Sequence, residues 1–147
     1  MVYLFMGPSC TGKSTVAKAL QNQLSLTIYE GKDYLRLAKN QGQAYACFSD
    51  ILLKASESEA SHVIYVITEP KELERLPQDA SMKKVRFTAK VDHIKDRFKK
   101  RMHGQLPPPV EKMIQKQVES FQDLRADLVL NTSEETPEVM VEKLLQL

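Results

Sequence analysis

Cysteine is scarce in this chain: only Cys10 and Cys47 occur, and neither sits in a CxxC or Cys/His spacing. Neither a zinc site nor a disulfide framework has support, and a reducing, cytoplasmic compartment is the expectation. Tryptophan is missing, and no window approaches the roughly 20 apolar residues that a membrane helix requires. Before the apolar run Met1 to Met6 there is no basic segment of the kind that opens a secretory signal. An excess of one charge sign is also lacking: 21 Lys and Arg face 19 Asp and Glu, a formal charge of +2. General polyanion binding is thereby disfavoured, and any basic function is expected to be local. With 147 residues, of which 42% are hydrophobic, the sequence suits one soluble domain spanning 1–147 with a core of its own.

Short apolar runs alternate with stretches of helical period, the pattern of repeated strand-helix units and a parallel sheet. Five strands are predicted near Val2–Met6, Leu26–Tyr29, Val63–Thr68, Val85–Ala89 and Asp127–Asn131. The third, apolar throughout, is expected at the centre of the sheet. Helices are predicted to start near Lys13, Asp33, Ala44, Val91, Pro109 and Pro137. In the fifth, Val110, Met113, Ile114, Val118, Phe121 and Leu124 recur at spacings of three and four, which predicts one buried face. Thr136 and Pro137 fit the N-cap and first position of the last helix. Cys47 reads as a buried core thiol.

Residues 7–14 read Gly7-Pro8-Ser9-Cys10-Thr11-Gly12-Lys13-Ser14 and match G-x-x-x-x-G-K-[ST], the phosphate-binding loop (P-loop). The motif follows an apolar strand and opens a helix-forming stretch, as its mechanism demands. Gly7 and Gly12 permit backbone conformations in which successive N–H groups converge on a phosphate at a helix N-terminus. Lys13 is placed to reach the β- and γ-phosphates, Ser14 to ligate Mg²⁺, and Thr15 to add a hydrogen bond to phosphate. Cys10 reads as a small residue at a variable motif position, or as a thiol activated by the positive potential of the loop.

Charge is uneven along the chain. From Lys83 to Arg101 nine Lys and Arg face two Asp, a net of +7, whereas Glu119 to Leu147 carries a net of −5. Such runs are ordinarily solvated helix faces.

Taken together, the P-loop and its flanks make the chain resemble the P-loop kinases of nucleoside monophosphates and small metabolites, the group of adenylate, gluconate and shikimate kinases. The resemblance implies a three-layer α/β fold with a five-stranded parallel sheet flanked by helices, ATP and Mg²⁺ as cofactors, and a small phosphate acceptor. It also implies an arginine-bearing lid, near 102–110. The run VDHIKDRFKKRMHGQLPPPVEKMI resembles the R-x-x-x-R helix and lid of the group, so Arg97 is expected on the nucleotide base and Arg101 on the transferring phosphate. DLVLNTSEETPEVMVEKLLQL resembles its last strand, loop and helix, which implies Asn131, Thr132 and Ser133 beside the base.

On the acceptor side YEGKDYLRLAKN resembles the group's acceptor segment with less fidelity. Gly31, Leu35 and Arg36 fit the adenylate-kinase pattern only with one extra residue, which would put Arg36 on an acceptor phosphate. Alternatively Asp33 accepts the acceptor hydroxyl proton, or caps the following helix. The third strand lacks a terminal Asp; Glu69 stands after it and either orients a magnesium-bound water or begins the next turn. The glycine-rich segment that shikimate kinases carry here is absent. His62, His93 and His103 show no ligand spacing.

The expected function is thus ATP-dependent transfer of the γ-phosphoryl group to a nucleoside monophosphate or a sugar-acid or polyol acceptor, with Lys13, Arg101 and Asp33 in catalytic roles. The alternatives are a nucleotide-binding switch without an acceptor, disfavoured by the lack of an N-K-x-D guanine signature, and a polynucleotide 5′-end kinase, disfavoured by the few aromatics in the basic segment. Nucleic acid and membrane partners are not expected, and a monomer is.

Overall fold

The computed structural model describes residues 1–147. Five strands, β1 (Val2–Met6), β2 (Leu26–Glu30), β3 (His62–Ile67), β4 (Met82–Thr88) and β5 (Leu128–Asn131), form one all-parallel sheet in the order β2-β3-β1-β4-β5. Helices α1 (Lys13–Gln21), α2 (Gln41–Ser56), α3 (Val91–Arg101), α4 (Pro108–Phe121) and α5 (Pro137–Leu145) cover its two faces. No helix is long and apolar enough to cross a membrane.

The period-2 alternation of β1 divides the core in two. Tyr3 and Phe5 face a cluster that includes Val16 and Leu20 of α1 and Met140 and Leu144 of α5. Val2, Leu4 and Met6 face a second cluster with Phe48 and Leu52 of α2 and Phe121 of α4. All five residues of β1 are buried, as its central place requires. The strand expected at the centre, β3, lies beside it instead. Both are apolar enough to be covered on two faces, and strand order depends on long-range pairing that composition does not encode.

Three other local expectations are corrected. The helix expected from Asp33 is a short 3-10 turn, Asp33–Leu37, and α2 begins at Gln41 because the Asn40 side chain accepts hydrogen bonds from the N–H groups of Gly42 and Gln43 at 2.8 and 3.2 Å. Cys47 is exposed, since the buried stripe of α2 runs through Ala44, Phe48, Leu52 and Ala55. On α4 the buried side chains are Ile114, Gln117 and Phe121, while Met113 is 39% exposed. A second 3-10 turn, Pro70–Arg75, follows β3.

Candidate functional site

The P-loop lies at the carboxyl edge of the sheet, where β1 ends and α1 begins. A Cβ on Gly7 would stand 2.6 Å from the Phe87 carbonyl oxygen, so the loop can cross β4 only with glycine there. Cys10 and Gly12 both take positive φ, 63° and 83°, and bend the backbone around the N-terminus of α1. Thr11 is buried and donates to the Pro8 carbonyl at 2.8 Å, closing the loop from inside.

Lys13 is 5% exposed and folds back over this loop, donating to the carbonyls of Gly7 and Pro8 at 2.6 Å each. Burial pushes its ammonium down to about 7, helped by the Arg101 charge and opposed by Cys10, Glu72 and Glu30. Burial likewise raises the Cys10 thiol, outweighing Arg101, Lys13 and Arg97. The reading of Cys10 as an activated thiol is therefore corrected: desolvation wins over the positive surroundings.

In front of the loop is a cavity of about 320 Å³ whose lining includes Ser9, Lys13, Ser14, Glu30, Thr68 and Arg101. Ser14 Oγ donates to Glu30 Oε1 at 2.6 Å. A hydroxyl and a carboxylate this close are the hard oxygen donors that Mg²⁺ prefers. Behind the helix start a second cavity of about 380 Å³ includes Thr15, Arg97, Thr132 and Pro137 in its lining, and it shares Cys10, Gly12, Thr15 and Arg101 with the first. The two form one path from the β5–α5 loop to the front of the P-loop.

Arg97 and Arg101, one turn apart on α3, divide this path. The Arg97 guanidinium donates to Cys10 O at 3.0 Å and to Thr132 Oγ1 at 3.2 Å, pinning the P-loop to the loop after β5. Arg101 is exposed and lines both cavities. Asn131 Oδ1 accepts from Ser133 N at 3.0 Å, which shapes the loop that presents Thr132.

The expected acceptor residues are not gathered in the same way. Asp33 Oδ2 accepts the backbone N–H of Glu30 at 3.0 Å, and its other oxygen lies 3.8 Å from Arg36. The Arg36 side chain is 85% exposed, and neither residue lines the phosphate cavity. Glu69 also lies outside it and pairs with Lys71 at 3.0 Å. The carboxylate that faces the cavity is Glu30, the last residue of β2. Ligands of open parallel sheets gather at the carboxyl ends of strands, and that rule singles out Glu30 once the strand's end is known.

Glu72 and Gln117 were not expected either. Glu72 is buried, and its Oε2 accepts the N–H groups of Thr68 and Glu69 at 2.9 and 3.1 Å, fixing the end of β3. Gln117 Oε1 accepts from Ser9 N at 3.0 Å, bracing the P-loop from α4.

No protein-family model matches the chain, and no curated protein matches it in sequence. Among solved structures it is similar to the tunicamycin resistance protein of Deinococcus radiodurans, with 17% identity and a TM-score of 0.71 over 99% of this chain and 93% of that one. It is also similar to a gluconokinase from Sinorhizobium meliloti 1021, with 14% identity and a TM-score of 0.63 over 99% and 89% of the two chains. A third similarity is to shikimate kinase from Bacteroides thetaiotaomicron, with 16% identity and a TM-score of 0.60 over 99% and 96%. At these identities the likeness is one of fold. The chain has the α/β fold of the P-loop kinases, a five-stranded parallel sheet flanked by helices, over its whole described length.

Proposed function

We propose that the protein is an ATP- and Mg²⁺-dependent phosphotransferase that moves the γ-phosphoryl group to a small hydroxyl- or phosphate-bearing acceptor. The observation that carries this reading is the single cavity in which Lys13, Ser14, Glu30 and Arg101 converge on the P-loop. Phosphoryl transfer asks little covalent help of a protein, so positioning and charge stabilisation are the work to be done.

In this reading the backbone N–H groups of residues 10–15 hold the phosphate chain, and Thr15 adds its hydroxyl. Arg97 and Thr132, with Asn131 behind it, border the adenine-ribose end. Lys13 leaves the Gly7 and Pro8 carbonyls for the β- and γ-phosphates, and Arg101 neutralises charge that builds on the transferring group. Ser14 would hold Mg²⁺, whose charge would neutralise the phosphate oxygens, and Glu30 beside it stays free to act as a base. The acceptor hydroxyl attacks phosphorus as its bond to the β–γ bridging oxygen breaks, and its proton passes to the Glu30 carboxylate while ADP leaves. Asp33 acts as a positioning residue through its hydrogen bond to Glu30 N.

Lys13→Ala removes the charge aimed at the transferring phosphate and is expected to lower turnover by roughly two or more orders of magnitude. ADP release with ATP, Mg²⁺ and a panel of nucleoside monophosphates, gluconate, shikimate and polyols tests the reading: one acceptor should raise the rate well above that without acceptor.

A further inference from the structure

A third concavity, beyond the two at the P-loop, bears on the chemistry of the acceptor. It is a groove of about 470 Å³ between the Pro70–Arg75 turn and α4. Three lysines, Lys71, Lys112 and Lys116, line it against one carboxylate, Glu69. Lys71 neutralises Glu69 at 3.0 Å, so the remaining charge belongs to Lys112 and Lys116. These two stand four residues apart on one exposed face of α4, and neither forms an ion pair within the protein. Like charges at that spacing disfavour a helix, and an anion between them reverses the sign of the effect.

A buried amide points the same way. Gln117 lines the groove and is only 9% exposed. Its Oε1 is committed to Ser9 N, while its Nε2 has no partner in the protein and keeps two N–H donors for a ligand. The groove has no lining residue in common with the phosphate cavity, but two direct links join them. Ser9 and Thr68 line the cavity, and their immediate neighbours Gln117 and Glu69 line the groove. Pro70, Pro109 and Met113 give the groove apolar surface suited to a carbon skeleton.

We propose that this groove is a subsite for an anionic acceptor: a small molecule whose carboxylate or phosphate group is held by Lys112, Lys116 and Gln117 while its hydroxyl reaches the phosphate cavity beside Ser9 and Thr68. The proposal rests on the phosphotransferase reading and adds the substrate class to it. Lys71 sets the charge of the opposite wall by pairing with Glu69.

The test is a two-dimensional NMR titration of the full-length protein saturated with MgADP. The probes are gluconate, shikimate and glucose 6-phosphate, with sorbitol and glucose as neutral counterparts. Saturable shifts at the amides of residues 69–71 and 112–117 are expected with an anionic probe and not with its neutral counterpart. In Lys112→Ala/Lys116→Ala, exposed changes that leave the buried side of α4 intact, that binding should weaken by about tenfold or more, the loss of charge-assisted contacts. A carboxylate responder or a phosphate responder identifies which anion the groove takes. The proposal is overturned if no anionic probe gives saturable shifts there, if neutral probes do equally well, or if the double variant binds as tightly as the wild type. ADP release measured in parallel separates the two claims. Groove binding without acceptor-dependent ADP release removes the phosphotransferase reading and spares the anion site; acceptor-dependent release without shifts in the groove does the reverse.

Discussion

The Ser14 hydroxyl donates to Glu30 Oε1 at 2.6 Å, joining the first turn of α1 to the carboxyl end of β2. Glu30→Gln keeps the shape of that contact and removes the charge. Turnover is expected to fall roughly ten- to a hundredfold, as for loss of a general base, while ATP affinity changes less. Steady-state kinetics with separate kcat and KM values check this; unchanged kcat would place Glu30 outside the chemistry.

Arg97 and Arg101 predict different losses despite standing on one helix. Arg97 ties Cys10 to Thr132, so Arg97→Ala should loosen the nucleotide end and raise the KM for ATP, by about tenfold for the loss of charged hydrogen bonds. Arg101 makes no hydrogen bond of this kind and lines both cavities, so Arg101→Ala should lower kcat at least as much as it raises KM. Small, equal effects from both would remove the division of labour.

Much of this site was legible because its signal is local. The P-loop has a fixed spacing with a strand before it and a helix after it, and all five strands announced themselves as short apolar runs. What failed depends on phase or on distant pairing. Cys47 stands next to Phe48, and Met113 next to Ile114; one step of 100° around a helix separates buried from exposed, and an apolar tally does not resolve it. Glu30 carries no signal of its own in the sequence, because only the sheet shows which carboxylate ends its strand and faces the P-loop. Gln117 is a polar residue on an apolar face, and its value appears only when Ser9 is found 108 residues away in sequence.

Lys13 gives a pH-dependent prediction. Its ammonium lies at about 7 in the folded protein against an ordinary 10.5. Between those values the unfolded chain binds more protons than the folded one, so this group makes stability rise with pH across that window and leaves the full cost of the buried charge in place below it. Lys13→Met lacks the group. The melting-temperature difference, variant minus wild type, should therefore be most positive at or below pH 7 and shrink by on the order of 5 °C toward pH 9.5. A difference independent of pH would mean that Lys13 is not desolvated.

Gly7→Ala tests the packing of the loop itself. The added methyl group would meet the Phe87 carbonyl oxygen at 2.6 Å, a backbone atom held in the sheet. Relief requires the P-loop or β4 to shift, at a cost of about 1–3 kcal/mol by the measure of overpacked sites. Urea unfolding should show that loss, together with weakened ATP binding; a variant as stable as the wild type would mean that the loop stands farther from β4.

Acceptor-dependent ADP release by wild type and Lys13→Ala, compared across the panel of small acceptors, tests the central claim most directly. The account predicts that one acceptor raises wild-type release well above the rate without acceptor, and that Lys13→Ala loses roughly two or more orders of magnitude of that rate. Turnover near the wild-type level in a folded Lys13→Ala protein, or nucleotide binding with no acceptor response, would contradict it.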